Sequence, residues 1–131
     1  MSTAEHRATA RDYLDKARQF LLVAESALNG ADNAAASNAV HAGISAKDAI
    51  CTVLSGRTAK TDDHRQAVTE LRTALGHRPE AAGAAKALRS LLSTKTPAQY
   101  SSKLVDHTKA SKAVSDAELL VELAARVLAG S

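Results

Sequence analysis

At 131 residues and 13.6 kDa the chain has the length of a single domain, and 45% hydrophobic with 24% charged residues sets it apart from disordered chains. Twenty-nine alanines against one Phe, two Tyr and no Trp argue against a β-protein, and six Gly with two Pro leave too little turn chemistry for many strands. The net charge of +3 is uneven: residues 57–112 hold eleven Lys/Arg against five Asp/Glu, net +6, while 1–56 and 113–131 are net −1 and −2. A basic middle segment suits an anionic partner such as RNA, a nucleotide or an acidic protein.

The first helix is expected to open at Ser2 with Glu5 as a capping box, and to carry Ala10, Tyr13, Ala17, Phe20, Leu21, Ala24 and Leu28 at helical spacing. Asn29-Gly30 should end it in a left-handed turn. A second helix starts after Asp32 and runs to Leu54, closed by Ser55-Gly56. Thr61 is the expected N-cap of a third helix, with Asp62 and Asp63 in its first turn and Gly76 at its end. Pro79 suits the first position of a fourth helix ending near Leu92, and residues 93–106 read as a connecting loop. A fifth helix spans about residues 107–128. The expected architecture is an all-α antiparallel bundle of four to five helices, one domain over 1–131.

Between Asn33 and Leu54 only Lys47 and Asp48 are charged, which predicts a central rather than a surface helix. Yet Asn38, His41, Ser45, Asp48 and Thr52 recur at alternating spacings of three and four. Such a row is a hydrogen-bonded seam, a subunit interface or a solvated stripe. Small residues around it, Ala39, Ala42, Gly43 and Ala46 among them, let neighbouring helices come close.

Cys51 is the only cysteine, so neither an internal disulfide nor a cysteine-based zinc site is available, and a cytoplasmic setting is expected. The N-terminal segment is charged almost from the start, without the apolar core of a signal peptide, and no uninterrupted apolar run suits a membrane span. His6, His41, His64, His77 and His107 are scattered, with no metal-ligand spacing, so no metal and no cofactor are expected.

Two arginine–histidine pairs remain. Six residues separate Arg57 from His64, and four separate Arg72 from His77. Histidine moves protons near neutral pH and arginine neutralises charge growing on a phosphate, a combination suited to RNA cleavage.

The order of features goes further. Residues 37–50 form a small-residue central helix holding His41, Lys47 and Asp48. A Gly-ended turn leads to Asp63-His64, and Lys95 with Ala98-Gln99-Tyr100 precedes a last amphipathic helix. This order resembles the HEPN domain family, small all-α proteins of prokaryotic toxin–antitoxin and defence systems. The resemblance covers about residues 8–128 and implies a cytoplasmic, usually dimeric bundle. Family members of one type cleave RNA without metal, which here would fall to Arg57 and His64, or less well to Arg72 and His77. In that type Asn, Asp or His usually follows the arginine, whereas here Thr58 and Thr73 do. The second type lacks the cleavage motif and binds partners, often a small nucleotidyltransferase. His64 and Tyr100 match positions common in it, and the chain resembles it more closely. The resemblance thus implies a homodimeric module binding RNA, nucleotide, an antitoxin or a nucleotidyltransferase, with Asp63, Lys95, Tyr100, Arg72 and His77 as candidate contacts. A metal-independent ribonuclease and a generic interaction bundle are the alternatives.

Overall fold

A computed structural model describes residues 3–99 and 102–131. Its five helices are α1 (Thr3–Ala27), α2 (Asp32–Ser55), α3 (His64–Leu75), α4 (Ala81–Gln99) and α5 (His107–Ala129), with no strand among the described residues. The all-α bundle expected from composition is the observed fold. No helix among the described residues is long and apolar enough to cross a membrane.

Helix α2 is the hub and touches each of the other four. Its alanines 35, 36, 39, 42, 46 and 49 are fully buried, so neighbouring helices close on a thin central rod. The tightest approach is at Gly43, where an added Cβ would lie 2.5 Å from a methyl of Leu91 and 3.4 Å from one of Leu120. Leucines from α3, α4 and α5 (Leu71, Leu88, Leu91, Leu120, Leu123) supply the bulk that the alanines lack, and the result is one continuous core.

The ends of the helices follow local chemistry, with some departures from expectation. Gly56 closes α2 at φ +76°, its N–H bonded to Thr52 O, and Gly76 closes α3 at φ +59°. Gly30 has no positive φ; the turn is made instead by Gly30 N and Ala31 N donating to Ala27 O. Asp32 lies inside α2 and leaves the cap to Ala31, because its carboxylate holds His107 Nδ1 at 2.8 Å. Ser2, the expected first cap, lies outside the described residues.

Asp63, not Thr61, caps α3. Its Oδ1 accepts from Arg65 N at 3.0 Å and Gln66 N at 3.3 Å, while Thr61 Oγ1 accepts from Asp63 N. Pro79 sits in the turn before α4, where Ala81 N bonds Arg78 O. Helix α4 also runs seven residues beyond Leu92. Two contacts hold that extension: Asn33 Nδ2 donates to Ala98 O at 2.6 Å, and the Gln99 amide meets His41 Nε2 at 3.3 Å. Asp106 caps α5 through Lys109 N.

Candidate functional site: a charged cavity between α2, α3 and α4

Lys47 and Asp48 are both 2% exposed. Isolated charges at that depth are costly, so each must be matched locally. The segment after Gly56 supplies the match by folding back over α2. Lys47 Nζ donates to Glu70 Oε1 at 2.7 Å, to Thr58 Oγ1 at 2.9 Å and to Ala59 O at 3.3 Å, which takes up all three of its protons. Thr58 passes its single hydroxyl proton to Asp48 Oδ1. Lys60 Nζ reaches Asp48 Oδ2 at 2.7 Å, and Ala59 N donates to Glu70 Oε1 at 2.9 Å. Two lysines thus balance two carboxylates, and the 58–60 segment is tied to α2 and α3 at once.

The surroundings set the ionisation of the outer members. Burial works to raise the Glu70 carboxyl, but hydrogen bonds from Lys47 and Ala59 N, with the Lys47 charge, outweigh it and hold Glu70 below the usual carboxylate range. Burial likewise works to lower Lys60, and hydrogen bonds to Asp48 and Tyr13 outweigh it, so its ammonium is held above the usual range. The same ammonium stands 4.4 Å from the centre of the Tyr13 ring. Burial pushes the neighbouring Cys51 thiol up to about 12, which makes it a poor nucleophile.

Beside this network lies a cavity of about 270 Å³. Lys47 and Asp48 reach it from α2, Ile44, Ala67, Leu88 and Leu92 form its apolar wall, and Lys60, Lys95 and His64 bring nitrogen groups to it. Lys95 Nζ is 3.7 Å from the carboxylate of the fully exposed Asp62. His64 is the first residue of α3 and half-buried.

Of the residues singled out in the sequence, His64, Lys95 and Asp48 come together at this cavity. Arg57 is exposed and is not among the lining residues. Asp63 is occupied as a helix cap, and Arg72 and His77 are exposed at the far end of α3. Tyr100 lies outside the described residues. The polar row on α2 changes character along its length. Ser45, Asp48 and Thr52 are buried, whereas Asn38 bonds its own helix at Ala34 O. His41 is exposed and stacks on Phe20 with ring centroids 5.1 Å apart; burial first, then Lys95 and Lys16, lowers its pKa. Sequence reasoning missed Thr58, Lys60 and Glu70. The signal was the lone Lys47-Asp48 pair in the otherwise uncharged stretch 33–54 of α2. Among the described residues no group of three or more His, Cys, Asp or Glu is placed to hold a metal.

No protein-family model matches the chain, and no curated protein is similar enough to it to count as a relative.

Proposed function

We propose that this chain is a HEPN-like helical module acting in the prokaryotic cytoplasm as a binding protein, taking the phosphate end of a nucleotide or RNA in the α2–α3–α4 cavity. The observation that carries this reading is the cavity's make-up: Lys47, Lys60, Lys95 and His64 outnumber Asp48 and Asp62 beside an apolar wall of Ile44, Ala67, Leu88 and Leu92, and among the described residues Lys95 is held only by the fully exposed Asp62 at 3.7 Å. Lysine ammonium groups and a histidine ring N–H suit phosphate oxygens, and the aliphatic wall suits the face of a base or sugar. At about 270 Å³ the space lies just below the roughly 300–1,000 Å³ of drug-sized sites, so one nucleotide unit is the appropriate guest. The net +6 of residues 57–112 adds long-range attraction for such an anion. An antitoxin or nucleotidyltransferase partner belongs to the same reading through the family resemblance. The ribonuclease alternative has less support, since His64 lines the cavity and Arg57 does not.

Calorimetric titration with nucleoside monophosphates and short RNA tests the proposal. Binding that falls by about tenfold or more in Lys95→Ala, and again in His64→Ala, is the expected result. Absence of binding, or binding indifferent to both changes, overturns it. RNA cleavage in the presence of chelator that disappears with His64→Ala would instead establish the nuclease.

A further inference from the structure

Helices α3 and α4 border a second concave space, a groove of about 280 Å³ lined by His64, Arg65, Val68, Thr69 and Arg89. Arg65, Thr69 and Arg72 follow one another at spacings of four and three, which places them on one stripe of α3. Lys86 and Arg89 stand about one turn apart on α4 in the same way, and all five residues are exposed. Residues 64–92 hold five Lys/Arg against two Asp/Glu, and one of those two, Glu70, is bound to Lys47.

Two observations set this groove apart from an ordinary solvated surface. The first is that its arginines have no counter-charge. Among the described residues neither Arg65 nor Arg89 forms an ion pair, and no Asp or Glu lines the groove. A guanidinium presents its N–H donors as a planar fork that matches a phosphate, and here two such forks border one space. The second is that His64, the first residue of α3, lines both this groove and the cavity between α2, α3 and α4. The two spaces, about 280 and 270 Å³, are therefore neighbours that meet at one side chain.

We propose that the α3–α4 groove is a second phosphate site, in which Arg65 and Arg89 clamp a backbone phosphate of a strand whose end lies in the cavity. The ligand is then a single-stranded oligonucleotide that passes over His64, not a free mononucleotide. This inference rests on the cavity's taking a nucleotide and adds the direction in which the chain leaves it. Neither arginine lines the cavity, so a mononucleotide held there leaves both in water, and the next phosphate along a strand is the group that reaches them. Val68 gives the intervening sugar an apolar contact. A paired base enters a space bounded by three helices only by leaving its partner, which makes the strand single.

Calorimetric titration of the full chain with uridine 5′-monophosphate and with a single-stranded uridine tetranucleotide, over a range of salt concentrations, provides the test. The tetranucleotide should bind about tenfold or more tighter at low salt. Arg65→Ala and Arg89→Ala should each reduce that advantage. The double change should abolish it and flatten the log–log salt dependence of tetranucleotide binding by about 0.7, the value for one phosphate contact on a single strand. His64→Ala should weaken both ligands. Both arginines are exposed, so the fold should survive their replacement, with circular dichroism as the check. A tetranucleotide that binds no tighter than the monophosphate overturns the proposal and leaves the cavity's role standing. So does an advantage indifferent to the double change, or one matched by a tetraglutamate peptide, which would make the groove a general anion surface. Monophosphate binding that is absent, or indifferent to Lys95→Ala, removes the cavity's role and the proposal with it.

Discussion

The network around Lys47 and the face around Glu25 use the same kinds of charge to opposite ends. At Lys47 the ammonium gives each proton to an acceptor of its own chain, and both carboxylates of the cluster are bonded. At Glu25, near the end of α1, the neighbour is another carboxyl, that of Glu118 on α5, and Arg7 and Arg11 sit near the other end of α1. A charge satisfied from within fixes the fold; one left unmatched on an exposed face is available to something outside it. The difference lies in burial, since a buried charge without its partner costs several kcal/mol whereas an exposed one is covered by water.

The comparison can be broken most sharply at Lys47. Lys47→Met keeps the stem but strips Glu70 and Asp48 of their buried counter-charge, and should cost about 3–5 kcal/mol in urea unfolding. A loss under 1 kcal/mol would mean that the cluster is wet. Thr58→Val removes the hydroxyl between Lys47 and Asp48 and should cost about 1–3 kcal/mol by the same measurement. Arg11→Ala, on the exposed side of α1, should leave the unfolding free energy of dilute protein within about 0.5 kcal/mol of the wild type.

Acid sharpens the contrast, because the two regions should respond in opposite directions. Glu70 is lowered on folding, so its stabilisation is complete above its unfolded pKa and disappears as pH falls through the folded value; Glu70→Gln should remove that part of the acid sensitivity. Glu118 is raised on folding, so its contribution is most favourable in acid and weakens as pH rises through the folded value. Glu118→Gln should therefore raise stability by a few tenths of a kcal/mol at neutral pH, screened by solvent, and by less as the pH falls. Unfolding curves of the two variants across pH 3 to about 7 distinguish these slopes.

Much of the fold was legible because its punctuation is local. Gly56 and Gly76 need positive φ where α2 and α3 end, and α5 begins at His107, where its apolar spacing starts. The end of α4 was not legible. Ser93, Thr94 and Pro97 have the composition of a loop, yet the Ser93 and Thr94 hydroxyls both turn back to Ser90 O, and Asn33, 65 residues distant, captures Ala98 O. The site divides in the same way. His64 and Lys95 stood out by type and position, whereas Thr58, Lys60 and Glu70 matter only because a short segment folds back over Lys47. No periodicity encodes such a meeting. Only the improbability of a Lys-Asp pair in the otherwise uncharged body of α2 hinted that something must come to neutralise it.

Lys47 is one of eight lysines in the chain, and its bonding has a chemical consequence. An amine whose protons are all engaged, on a side chain closed off from solvent, offers no lone pair to an acylating reagent. It becomes reactive only when the 58–60 segment lifts, so its modification rate, beside the prompt labelling of exposed lysines such as Lys16, times that local opening without any probe being added to the protein.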